Sequence, residues 1–242
     1  MERLICLAVG YVCGLFQTGY LVGKMNHIDI RKEGSGNSGT TNALRVLGWK
    51  AGIFTFLGDV LKCVAAYFIV RFMYRGSDCL PLLVMYAGAG VTLGHNFPFY
   101  MNFKGGKGIA VMAGLVFINS VWHMPQSLFL ILVTALFFFI PVIVTRYISV
   151  GSLCAYTAFL IEMILFGQWG WFDMEAGYCY ELYGIAVLLT ALAWYRHREN
   201  IKRLAKGTEN KFGSKMKGAL IYGKCRSNRC GKLGNGVIGS SG

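Results

Sequence analysis

The run Leu4-Ile-Cys-Leu-Ala-Val-Gly-Tyr-Val-Cys-Gly-Leu-Phe-Gln-Thr-Gly-Tyr-Leu-Val-Gly23 holds no charged residue over its whole length. A helix of that length rises about 30 Å, the thickness of a bilayer's hydrocarbon core. It carries no basic stretch ahead of it and no cleavage-site pattern behind it, so it reads as a retained span rather than a secretory signal. The same pattern of a long apolar run and a short polar loop recurs down the chain, which is 55% hydrophobic, only 14% charged and has a mean hydropathy of +0.50. This composition predicts an all-α polytopic membrane protein. Seven spans are read, at 4–23, 51–70, 80–94, 109–121, 127–145, 148–166 and 182–195. The third, fourth and seventh are short for a bilayer and need flanking aromatics or local thinning.

Charge sets the expected orientation. With seven spans and the amino terminus outside, the inward loops carry 20 of the 24 Lys/Arg, while 167–181 carries Asp173, Glu175 and Glu181 instead. The positive-inside bias therefore places the amino terminus outside and the carboxyl terminus in the cytoplasm. The net charge of +13 is then a cytoplasmic-face property. The basic residues flank spans without interleaved aromatics, which argues against nucleic acid as a partner. Residues 1–212 are read as one membrane domain, and the basic, Gly-rich stretch 213–242 as a disordered cytoplasmic tail.

Polar constellations gather on that expected inner face. Immediately after the first span, Gly34-Ser-Gly-Asn-Ser-Gly-Thr-Thr-Asn-Ala-Leu-Arg45 combines turn-forming glycines with the hydrogen-bonding side chains of Ser35, Asn37, Ser38, Thr40, Thr41 and Asn42, and ends on a permanently charged fork. Convergent N–H groups plus a guanidinium suit a phosphate or carboxylate, although a solvated loop has a similar composition. A second run, from Gly94 to Gly108, places Lys104, Gly105, Gly106, Lys107 and Gly108 just before an apolar helix, whose amino-terminal dipole would favour an anion. Its glycines leave room for close backbone approach. A third, Thr145-Arg-Tyr-Ile-Ser149-Val-Gly-Ser152, interrupts two spans. In a fourth, Arg196-His-Arg-Glu-Asn-Ile-Lys-Arg203, a helix continuing to Leu204 would set His197 and Asn200 on one face.

Within the second span, Asp59 and Lys62 stand three apart and are read as a structural ion pair. Glu162 in the sixth has no partner legible from sequence. Four cysteines fall inside spans, and neither they nor His27, His95, His123 and His197 show metal-ligand spacing, so no metal and no cofactor are expected.

Taken together, GSGNSGTTNALR, GHNFPFYMNFKGGKGIAV, RYISVGS and HRENIKRLAKGTENK resemble the signature motifs of the PlsY family, the bacterial acyl-phosphate:glycerol-3-phosphate acyltransferases, over residues 1 to about 213. The resemblance implies a seven-helix enzyme of the bacterial inner membrane whose cytoplasmic-face site moves a fatty acyl group from acyl phosphate to the 1-hydroxyl of glycerol 3-phosphate. It implies catalytic and acceptor-binding roles for Ser35, Arg45, Lys104, Ser149, His197 and Asn200. To acyl-phosphate binding it assigns Asn37, Thr41, Asn42, Gly105, Gly106, Lys107 and Gly108. A monomer within membrane lipid is compatible with it. No histidine has an aspartate four residues on, and no Gly-x-Ser-x-Gly elbow is present, so direct attack on an activated mixed anhydride is expected, without an acyl-enzyme. A transporter of a small phosphorylated anion would share spans and polar breaks, but internal repeats with paired broken helices are not seen.

Overall fold

The computed structural model describes residues 1–120 and 126–213, which are helical wherever they are regular. In order come α1 (Glu2–Gly14), α2 (Thr18–Met25), α3 (Thr40–Leu47), α4 (Trp49–Tyr74), α5 (Leu80–Asn96), a 3-10 turn (Phe99–Met101), α6 (Ile109–Ser120), α7 (Gln126–Thr145), α8 (Ile148–Gln168), α9 (Ala176–Arg196) and α10 (Arg198–Ala205). The expected tail beyond residue 213 and the expected end of the fourth span at Val121 lie outside the described residues. Five segments are long and apolar enough to cross a membrane: Glu2–Met25, Trp49–Tyr74, Leu128–Thr145, Ile148–Gln168 and Ala176–Arg196. α5 has 17 residues and α6 only 12, both short of a full bilayer.

Large apolar side chains point outward along α4 and α7, including Phe54, Phe68, Phe72, Leu132, Phe139 and Ile143. Hydrocarbon solvates such a surface as well as a protein core does. Inside, α5 is the pillar, buried at almost every position and packed most extensively on α1. Glycines make that contact possible: a Cβ on Gly10 would lie 1.9 Å from the Ala87 carbonyl oxygen, and one on Gly90 would lie 2.1 Å from that of Leu7. Backbones this close gain dispersion contacts in lipid, where no hydrophobic driving force joins helices.

The first span is not the single helix its sequence suggests. It breaks at Leu15–Gln17, between α1 and α2, because polar groups from other helices satisfy the freed backbone. Buried Lys62 donates to the Phe16 carbonyl at 3.2 Å and the Tyr100 hydroxyl to the Leu15 carbonyl at 2.6 Å, while the Gln17 side-chain amide crosses to the carbonyls of Gly94 and His95 at 3.3 and 3.1 Å. The seventh span also departs from expectation. α9 stops at Arg196 and α10 starts at Arg198, so His197 sits at a joint (φ −94°, ψ 3°) rather than on a continuous helix face.

Candidate active site

α4, α6 and α8 begin, and α5 and α9 end, at the same end of the bundle. Between those ends, α3 and the 206–212 segment border a partly open pocket. From the first polar run it takes Ser35, Asn37, Thr41, Asn42 and Arg45; from the second, Lys107, Gly108, Ile109 and Ala110; and from the later runs, Ser149, His197, Asn200, Arg203 and Glu209. Four stretches separated by up to about 160 residues therefore converge. The amino termini of α6 and α8 both open on the pocket, adding two positive dipole ends to its cations.

The first run is stapled by Asn42 rather than exposed through it. The buried Asn42 amide donates to the carbonyls of Ile30 and Glu33, both at 3.0 Å, and its Oδ1 accepts the Ser35 N–H at 2.9 Å. Asn37 Oδ1 accepts the Gly39 N–H at 2.8 Å, fixing the turn into α3. The Asn42 side chain is thus committed to loop shape, whereas Asn37, in the pocket lining, uses only its Oδ1 locally, and its Nδ2 makes no hydrogen bond among the described residues. The Thr40 hydroxyl is buried without a partner, Thr41 and Ser35 line the pocket, and Arg45 makes no hydrogen bond or ion pair among the described residues. Burial holds the Arg45 guanidinium below its ordinary pKa, with Arg203 reinforcing and Glu209 opposing that fall.

The second run divides in two. Gly105 and Gly106 spend their N–H groups on the carbonyls of Asn96 and His95, at 3.1 and 3.0 Å. A Cβ on Gly106 would lie 2.0 Å from His95 Nε2, so the histidine ring behind the loop by itself requires a glycine there. The N–H groups that follow, on Lys107, Gly108, Ile109 and Ala110, have no acceptor among the described residues and line the pocket. They form a short row of free donors at the start of α6. Lys104 is exposed and is not brought into the pocket lining; the lysine that is there is Lys107, hydrogen-bonded to Asn200 Oδ1. Burial pulls the Lys107 ammonium down from 10.5 to about 8; Arg203 adds to the fall, Glu209 opposes it, and Arg196 and Arg45 lower it further.

His197 points one nitrogen at its own helix. Nδ1 lies 2.8 Å from the Ala193 carbonyl, which can only accept, so Nδ1 carries the proton and Nε2 keeps its lone pair. Burial lowers its pKa to about 4, against the Ala193 hydrogen bond, and Lys107 and Arg196 push the same way. The imidazole is therefore neutral at pH 7.

Two networks join residues whose partners the sequence does not reveal. Glu209 receives Ser149 Oγ at 3.3 Å, Asn200 Nδ2 at 2.7 Å and Arg203 Nε at 2.7 Å, making it the hub of the pocket's far wall. Its segment is tied down by Phe212, whose N–H donates to the Arg146 carbonyl at 2.6 Å while Arg146 donates back to the Phe212 carbonyl at 3.2 Å. Beneath the pocket, Lys62 Nζ lies 2.8 Å from Asp59 Oδ1 and 2.7 Å from His95 Nδ1, so the two charges three apart on α4 extend into a buried triad that reaches the back of the glycine loop. Glu162 also finds a partner, accepting from Thr134 of α7 at 2.6 Å.

A convergent cationic pocket with a neutral imidazole at its rim can be set against known proteins. Residues 4–207 match the family model described as glycerol-3-phosphate acyltransferase. Relatives of that name include one from Alkaliphilus metalliredigens (strain QYMF), 38% identical over 89% of this chain and 98% of its own. Another, from Clostridioides difficile (strain 630), is 40% identical over 88% and 96%. Among solved structures, the glycerol 3-phosphate form of PlsY, an integral membrane glycerol 3-phosphate acyltransferase, is 32% identical and superposes with a TM-score of 0.71 over 88% of this chain and 96% of that one. Its lysophosphatidic acid form matches at 31% identity with a TM-score of 0.69. From these matches and its own apolar helices, the chain is a multi-pass integral membrane protein and belongs to the glycerol-3-phosphate acyltransferase family.

Proposed function

We propose that this chain transfers a fatty acyl group from acyl phosphate to the 1-hydroxyl of glycerol 3-phosphate, giving lysophosphatidic acid and inorganic phosphate for phospholipid synthesis. The observation that carries the reading is one pocket lined by two separate sets of anion-binding groups together with His197. One is Arg45 with the Ser35–Thr41 loop; the other is Lys107 with the free N–H row of Lys107–Ala110. Two phosphorylated substrates require two such elements. The acceptor's phosphate is assigned to Arg45, Ser35 and Ser149, and the donor's phosphate to Lys107 and the free amides; the family resemblance adds Lys104 to the acceptor's phosphate, although here it lies outside the pocket lining. His197 and Asn200 orient the glycerol hydroxyls.

In the reaction the 1-hydroxyl oxygen attacks the carbonyl carbon of the mixed anhydride, and the carbon–oxygen bond to phosphate breaks with its electron pair leaving on phosphate. A histidine held to a pKa of about 4 is a weak base, whereas a phosphate group's second pKa is about 6. His197 Nε2 therefore accepts a hydrogen bond that aims the hydroxyl, and the proton ends on the departing phosphate. Positioning and charge stabilisation supply the acceleration, each worth several kcal/mol. With seven spans and the amino terminus outside, α5 and α6 included, the positive-inside bias of the loops supports this end of the bundle as the cytoplasmic face of a bacterial inner membrane.

Purified protein is expected to convert palmitoyl phosphate and glycerol 3-phosphate to lysophosphatidic acid with stoichiometric phosphate release. Comparable turnover of palmitoyl-CoA, with no acyl phosphate present, would reject the donor. Lys107 adds a pH dependence. Its charge is present below about pH 8 and is lost as pH rises through that value, so the apparent KM for acyl phosphate should climb several-fold between pH 7 and 9. Lys107→Arg, charged throughout, should hold that KM level. A flat wild-type profile over the same range counts against Lys107 as the donor's cation.

A further inference from the structure

Arg196 opens the fourth polar run, yet nothing so far gives it a task. It stands at the last turn of α9 and reaches across to the glycine loop, where Nη2 donates to the Gly105 carbonyl at 3.0 Å and to the Gly106 carbonyl at 2.9 Å. Its guanidinium carbon sits 5.2 Å from the centre of the Phe97 ring, and its Nε is buried without a partner. The same two glycines give their N–H groups to Asn96 and His95 on the opposite side. The Gly105–Gly106 peptide plane is therefore gripped at both ends, its N–H by α5 and its C=O by Arg196, and the next plane, Gly106–Lys107, is held by Arg196 at its C=O with the Lys107 N–H left free. A half-buried arginine whose Nε is buried with no partner among the described residues costs free energy, and this one delivers its hydrogen bonds to two backbone carbonyls rather than to a carboxylate.

We infer that Arg196 is a positioning residue: it fixes the Gly105–Gly106 peptides so that the next four N–H groups stay in line to receive a substrate phosphate. Glycine peptides have the widest conformational freedom of any, and a loop of two in succession would otherwise sample many orientations. Each orientation lost before binding is entropy not spent during it, so the clamp acts on affinity for the phosphate that the loop receives. Arg196 itself does not line the pocket. Because Lys107 follows directly and bonds to Asn200, the same clamp also sets the lysine's reach.

That the loop's phosphate is the acyl donor's rests on the function proposed above, and the test separates the two ideas. Arg196→Met keeps the aliphatic stem over Phe97 and removes both hydrogen bonds; Arg196→Lys restores one charged donor. With wild-type protein as reference, KM for acyl phosphate and for glycerol 3-phosphate are measured for each variant. The expected result is a rise of at least fivefold in acyl-phosphate KM for Arg196→Met, glycerol 3-phosphate KM within twofold of wild type, kcat at saturation nearly unchanged, and partial recovery in Arg196→Lys. A selective rise in glycerol 3-phosphate KM alone would uphold the clamp and overturn the donor assignment. Equal rises in both, a loss confined to kcat, or no rescue by lysine would overturn the clamp. Should Arg196→Met fail to fold, Phe97→Leu, which removes the ring face and leaves both hydrogen bonds, is read in the same way, with a two- to threefold selective rise expected and an unselective or absent rise counting against.

Discussion

Arg45→Ala is expected to lower kcat/KM for glycerol 3-phosphate by well over a hundredfold while leaving the protein folded. Arg45 is half-buried on α3, lines the pocket and makes no hydrogen bond or ion pair among the described residues, so its five donors are held ready without a protein acceptor. A guanidinium in that state has paid part of its desolvation already and recovers it only when an anion arrives. Arg45→Lys keeps the charge but loses the fork and should cost about 1–3 kcal/mol, or roughly tenfold to a hundredfold. Arg75→Ala is the control. Arg75 follows α4 at the end opposite Arg45, and the 26 residues between rise about 39 Å, so its loss should leave the rate untouched. A wild-type rate for Arg45→Ala, or a collapse for a well-folded Arg75→Ala, would reject the placement of the acceptor's phosphate.

Glu209→Ala should be the most damaging change on the far wall, in both activity and stability. One carboxylate holds Ser149, Asn200 and Arg203, and its charge offsets Arg45 and Lys107 as well. Hydrogen bonds to a charged group are worth about 1.5–3 kcal/mol each, and because Arg203 is one-third exposed the net loss is nearer 3 kcal/mol than the sum. Activity should fall at least a hundredfold, since Asn200 and Ser149 lose their anchor. Glu209→Gln preserves volume and the bonds from Ser149 and Asn200 but removes the anion facing Arg203, so it should keep most of the stability and only part of the activity. Thermal unfolding measured beside kcat/KM distinguishes these outcomes, and a Glu209→Ala protein with wild-type unfolding temperature and rate would exclude the hub.

How far the sequence could be read depended on whether the deciding partner was local. Apolar runs revealed the helices because burial in lipid is a property of each segment alone. The break at Gln17 stayed hidden because its stabilising groups, Lys62 and the carbonyls of Gly94 and His95, come from other helices. The pocket's cations were legible as charges beside glycine-rich turns, and ten of the residues singled out there line it. Which atoms face the ligand was not legible. Asn42 and Asn37 look like binding groups in a loop, and the fold also uses them to set the loop's shape, while Gly106 looks like an anion contact and also leaves room for the His95 ring. Lys104 and Lys107, three residues apart in one motif, are equivalent on paper, and only the fold places one in the pocket lining and the other outside it. Glu209 had a faint signal, as an acid shortly past a helix-stopping glycine in a basic stretch, with no way to know that Ser149 lay beside it.

The dependence on Glu209 also has a consequence in time. A ribosome adds about 5–20 residues each second, so both anion loops are made roughly 4–17 s before residue 197 is added, and the last described span is complete only about 1–3 s before Glu209. Until Glu209 is made, Ser149 and Asn200 have no common anchor and Arg45 and Lys107 lack its opposing charge. A nascent chain interrupted in that last short interval would carry the described spans yet lack the carboxylate that ties the later polar runs together.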